Sequence, residues 1–190
     1  MGVGVAQGVL NSFDVFGSKA MTELFAFLVC AWLLPTEHRR KWTLWLGATL
    51  VATGIIGGAT WIFIVGIPAI PYTKFIPFSE IPTKFYVLGI VTSCIITPLF
   101  EEKVVRHLLL DGVSHHFGRV LGAIMVSTLF AVVHADAVIS SFFFSILLCI
   151  CANPLNLNTT QRAIVHGAIN LTITQWVIFY PTLRDYGIQS

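Results

Sequence analysis

A chain of 190 residues, 56% hydrophobic and 11% charged, lies far from soluble domains, in which about a quarter of residues carry charge. A net charge of +2, scattered rather than gathered into a stripe, argues against a nucleic-acid partner. With a mean hydropathy of +0.83 the chain reads as an all-α, multi-pass integral membrane protein of the cell membrane, surrounded by lipid bilayer.

Residues 1–190 form one polytopic domain, whose length accommodates about six transmembrane helices, within a range of about five to seven. Cys30, Cys94, Cys149 and Cys151 all lie in apolar stretches and read as packing residues. Cys149 and Cys151, two apart, fall on different faces of a helix, unlike a redox or metal-binding pair.

The N-terminus lacks a basic region before an apolar core, so no removable signal peptide is expected. An interfacial helix over Val9 to Phe16 precedes a first span from Ala20 to Leu34, with Asp14, Lys19 and Glu23 near its start. The basic cluster His38-Arg39-Arg40-Lys41 follows, which predicts a cytoplasmic position. The second span, Trp42 to Ile70, opens on the interfacial aromatics Trp42 and Trp45, and Gly54, Gly57 and Gly58 let a neighbouring helix come close. Pro68 to Pro82, rich in proline, reads as a loop on the far side.

The third segment is apolar from Thr83 to Leu99 and then meets Phe100-Glu101-Glu102-Lys103-Val104-Val105-Arg106. Val104, Val105, Leu108, Leu109 and Leu110 keep a helical pattern beyond the charges, and a break is expected at Asp111-Gly112. Glu101 therefore lies about 14 residues, or about 20 Å, before the turn. The fourth segment, Arg119 to His134, returns antiparallel and brings His134 to a similar depth, about 25 Å past the turn.

Asp136 caps a fifth segment, Ala137 to Ala152, which Asn153-Pro154 ends. A polar loop over Asn156 to Arg162 leads to the sixth span, Ala163 to Tyr180, where His166 and Asn170 share a face. A straight fifth helix leaves His166 shallower than His134, so the two meet only if that helix tilts or sinks. The turn at Asp111 to Arg119 is also placed in the cytoplasm, and six spans put both termini outside.

Ionisable groups inside spans cost about 2.5 to 3.5 kcal/mol on insertion scales and so face cavities or one another. Glu102 and Arg106, one turn apart, make a structural ion pair, which leaves Glu101, about 100° away around the axis, for chemistry. Asn170 fits interhelical hydrogen bonding as well as catalysis, and His107, His115 and His116 read as exposed residues of the turn.

Two chemistries suit this set. In one, Glu101 takes a proton from water that His134 helps to orient, while His166 and Asn170 donate to an oxyanion. In the other, histidines and glutamates hold a divalent metal, although the HExxH spacing is missing. No serine or cysteine stands in a nucleophile motif. A proton- or metal-coupled transporter is the alternative from another class, but no internal repeat is visible and the ionisable set is confined to the C-terminal half.

Glu101-Glu102-Lys103-Val104-Val105-Arg106, Phe130-Ala131-Val132-Val133-His134 and His166-Gly167-Ala168-Ile169-Asn170 resemble the three ordered motifs of the CPBP intramembrane proteases. This Abi family includes the type II CAAX prenyl proteases. The resemblance covers residues 83–180 as a catalytic core and implies a helical fold around an intramembrane cavity.

It implies Glu101 as the water-activating acid, His134 as its partner, His166 and Asn170 as the oxyanion pair, and Glu102 and Arg106 as supporting residues. It also implies a glutamic-type rather than a zinc mechanism, no metal or other cofactor, and a membrane-associated protein or peptide as substrate. The chain is shorter than the eukaryotic prenyl proteases, so a prenylated substrate is not assumed. Peptide or bacteriocin maturation, self-immunity and the processing of C-terminal sorting tails are the roles associated with bacterial members. A catalytically silent immunity or scaffold protein on the same fold is a third reading.

Overall fold

The computed structural model describes residues 17–34, 37, 41–70, 78–134, 137–152 and 154–185. The expected interfacial helix at Val9 to Phe16, the basic residues His38 to Arg40 and the cap at Asp136 lie outside them. Among the described residues there are six long helices and no strand: α1 Ser18–Leu33, α2 Leu44–Gly66, α3 Thr83–Phe117, α4 Arg119–Val133, α5 Val138–Ala152 and α6 Thr159–Asp185. By length and composition α2, α3 and α6 can each cross a membrane. The apolar α4 and α5 are shorter, at 15 residues each.

α3 is one 35-residue helix that runs through Glu101 as its apolar pattern demands. The break expected at Asp111-Gly112 is absent. The helix continues to Phe117 and stops at Gly118, whose φ of 80° is open to glycine and rarely to other residues. The loop expected over Asn156 to Arg162 is partly helix as well. Asn158 Oδ1 accepts from the Gln161 amide at 3.0 Å and Gln161 Oε1 accepts from the Asn158 amide at 3.1 Å, a reciprocal cap that starts α6 at Thr159.

α6 is the central post. It crosses α2 so closely that a Cβ on Gly58 would stand 2.6 Å from Thr172 Cβ, and one on Gly54 would stand 2.6 Å from the Val165 carbonyl oxygen. Both glycines are therefore fixed by helix approach, as the sequence suggests. Leu50, Leu148, Val165 and Ile169 fill the space between α2, α5 and α6, with Cys151 among them, while Cys149 packs with Leu110 and Val126. All four cysteines are unpaired.

Two helices widen where a proline interrupts them. A proline supplies no amide hydrogen and its ring crowds the carbonyl four residues back, so a turn that takes in one extra residue relieves both. Such turns occupy Ile62–Gly66 before Pro68 and Thr92–Ile96 before Pro98. In the second, the Thr97 amide donates to Thr92, so the Ser93 carbonyl loses its ordinary partner. Its next candidate is Pro98, which has no hydrogen to give. The Asn170 side chain of α6 donates to it instead, at 2.8 Å.

Candidate active site

A third widened stretch, Glu102–Leu109, begins beside the adjacent acids of α3. The Glu102 side chain has 0% exposure and stands among three partners. Arg106 Nη1 is 3.5 Å away and Arg162 Nε is 3.3 Å away, while His166 Nδ1 donates to Oε1 at 3.1 Å. Arg106 is in turn held by Ser145 Oγ at 2.9 Å and lies over the Phe130 ring at 4.5 Å. Arg162 also donates to the carbonyls of Leu157 and Glu102. A buried carboxylate between two guanidinium groups satisfies what low dielectric demands of a charge.

Glu101, rotated away from this knot, lines a cavity of about 500 Å³ together with His134, His166 and Asn170. Its carboxylate lies 3.9 Å from His134 Nε2 and 3.7 Å from His166 Nε2, too far for direct hydrogen bonds. The far nitrogen of each imidazole sets its tautomer. His134 Nδ1 is 2.8 Å from the Phe130 carbonyl, which can only accept, and His166 Nδ1 faces Glu102. With Nδ1 so engaged, each ring in its neutral form carries the hydrogen there and turns an Nε2 lone pair towards Glu101. Three acceptors facing one gap call for a hydrogen donor between them, and a water molecule meets that need. The Phe130 ring, stacked on His134 at 4.2 Å, keeps the imidazole in place.

Asn170 reaches the cavity wall with one amide hydrogen already given to Ser93. Gly167 lies between His166 and this contact, and a Cβ there would collide with the Cys94 carbonyl oxygen. That carbonyl has lost its ordinary partner to Pro98, so proline, glycine and asparagine together seat α6 against α3.

The depth conflict between His134 and His166 is resolved at the start of α6. Thr159 begins that helix beside Lys103, well short of the turn at Gly118, and Glu37 joins the two. Glu37 accepts from the Thr159 amide at 2.5 Å and from its hydroxyl, and it meets Lys103 Nζ at 3.0 Å. Burial pushes the Glu37 carboxyl up, but the hydrogen bonds from Thr159 and Lys103 outweigh it and hold the group below the usual carboxylate range.

His107 also belongs to this cluster. Its Nδ1 is 3.0 Å from Glu37 and its side chain is 14% exposed, which corrects the expectation of an open turn residue. His115 and His116 are exposed as expected. Arg162 and Glu37 escaped the sequence reading, and the one local signal was the position of Arg162 one helical turn before His166.

Among the described residues no group of three or more His, Cys, Asp or Glu side chains is placed to hold a metal ion. The all-helical architecture, with apolar spans and ionisable groups turned into a shared cavity, defines a membrane protein. The family model described as type II CAAX prenyl endopeptidase Rce1-like matches residues 83–172, a little under half of the chain, and that stretch is similar to this family. The family implies protease activity. Neither a curated protein nor a solved structure matches the chain.

Proposed function

We propose that the protein is an intramembrane endopeptidase in which Glu101 activates water against a peptide bond of a membrane-associated substrate. The observation that carries this reading is the facing of Glu101 by two imidazole Nε2 atoms whose Nδ1 atoms are engaged by the Phe130 carbonyl and Glu102. A water between them gives one hydrogen bond to Glu101 and one to His134, leaving an oxygen lone pair for the carbonyl carbon.

As the bond forms, the water proton passes to Glu101. His166 Nε2 receives it next, since Nδ1 remains on Glu102, and delivers it to the leaving amine. In its doubly protonated form His166 donates to the oxyanion, beside the second amide hydrogen of Asn170. Glu102, Arg106 and Arg162 hold His166 and take no part in bond making.

All six helices are embedded in this proposal. α4 and α5 span about 22 Å each at helical rise, less than the roughly 30 Å of a hydrocarbon core, so their ends draw water and substrate to the depth of Glu101.

The test compares membrane proteins and released peptides from cells carrying the protein with those from cells carrying Glu101→Gln. One precursor is expected to accumulate with the variant, and purified protein should cleave it after exhaustive chelation. Identical profiles would sink the proposal in favour of a silent scaffold. Activity lost on chelation and regained with a divalent metal would replace the glutamate mechanism with a metal one.

A further inference from the structure

A second opening, of about 1040 Å³, lies beside the cavity between α2 and α5. Each helix contributes one face. Gly57, Trp61, Ile64 and Pro68 recur at spacings of four, three and four along the α2 side, and Ser140, Phe143 and Leu147 do so along α5. The α2 row extends about 16 Å at helical rise. α2 and α5 both pack on α6 and hardly touch each other, so the gap is a slot between two helix faces with a third helix behind it.

The slot is almost wholly apolar, and its hydroxyls are already engaged. Thr60 Oγ1 donates to the Ile56 carbonyl at 2.8 Å and Ser140 Oγ to the Ala137 carbonyl at 3.0 Å. Among the lining side chains the Trp61 indole is the one with a hydrogen left to donate, so a peptide lying there must pair most of its amides and carbonyls within itself, as a helix does. Small side chains at Ala137 and Ser140 admit a helix backbone at close range.

The slot is also continuous with the cavity. Trp61, Ala137, Ser140 and Phe144 border both. On the cavity side of that border stand Glu101, His166 and Asn170, polar groups that suit a peptide whose helix has come undone.

We propose that the α2–α5 slot docks an apolar, membrane-embedded helical segment of the substrate polypeptide and passes its unwound end to Glu101. This inference rests on the protease reading above. It assigns to the substrate a hydrophobic helix next to the cleaved bond.

The test places the photo-crosslinking residue benzoylphenylalanine at Ile64 or Phe143 of the full chain carrying Glu101→Gln, in the membranes where the precursor accumulates. Val120, on α4 outside the slot and 76% exposed, serves as the control position. Crosslinks from Ile64 and Phe143 to an apolar stretch of that same precursor, and none from Val120, are expected. Crosslinks confined to lipid, to a prenyl or acyl group, to a second copy or to the chain's own residues 1–16 would overturn the slot.

A second measurement needs no crosslinker. Ile64→Trp fills the slot and should slow turnover of the precursor by about tenfold or more, whereas Val120→Trp leaves it unchanged. Turnover by Ile64→Trp equal to that of the unaltered protein refutes the docking role and leaves the glutamate mechanism standing. Cleavage by Glu101→Gln refutes the mechanism itself.

Discussion

Glu101 and Glu102 are neighbours on one helix and live in opposite surroundings. Glu102 has no exposed side-chain surface and is gripped by Arg106, Arg162 and His166, whereas Glu101 is 17% exposed and among the described residues has no ionisable partner nearer than 3.7 Å. A rotation of about 100° between consecutive residues is the whole origin of the difference. One side of α3 meets three packed helices and becomes scaffold, while the other meets a cavity and stays available. On the proposed reading, the carboxylate with satisfied partners is held for structure and the one facing two imidazoles is held for a proton.

Substitutions that treat the two acids alike should therefore give unlike results. The largest effect is expected from Glu101→Gln, which should lower cleavage by about 10² to 10⁴-fold while the melting temperature in detergent barely moves. Glu102→Gln should do the reverse in kind, costing about 3 to 5 kcal/mol of stability by leaving two buried guanidinium groups uncompensated. Denaturant titration reads that loss, and comparable stability for the two variants would erase the contrast.

Gly167→Ala tests whether the seating of α6 carries the geometry to the cavity. Its added methyl meets the Cys94 carbonyl, and a destabilisation of about 1 to 3 kcal/mol is expected, with cleavage falling as His166 is displaced.

The smallest effect concerns Glu37, the paired acid outside the spans. Its carboxyl is depressed in the folded chain relative to the usual 4.5, so its stabilisation is complete above that pH and is lost as pH falls through the lowered value. Glu37→Gln should flatten this acid limb of a stability-against-pH curve and leave the neutral region's slope alone.

The parts of the fold visible in the sequence were those encoded by local pattern. The continuation of α3 past its charges follows from Val104 to Leu110, and the close crossing of α2 and α6 follows from Gly54 and Gly58. Glu101 facing His134 follows from counting residues back from one turn. The turn itself was harder to place, because Asp111 and Gly112 are exposed and a solvated helix tolerates both residues that usually end one.

What escaped was decided by distant partners. Asn156 to Arg162 reads as a polar loop until Glu37 and Glu102 arrive from other segments to meet Thr159 and Arg162, and His107 reads as exposed until Glu37 covers it. Neither pairing leaves a periodic trace along the chain.

The exchange between Pro98 and Asn170 also fixes a length. Sliding α3 along α6 by even one residue would strand the Ser93 carbonyl without a donor in a medium that offers none, so the two helices are held in one register. Embedded as proposed, they would act as a ruler across the bilayer. On the proposed reading, that ruler sets the height at which a passing chain is cut, and the product ends carry its mark.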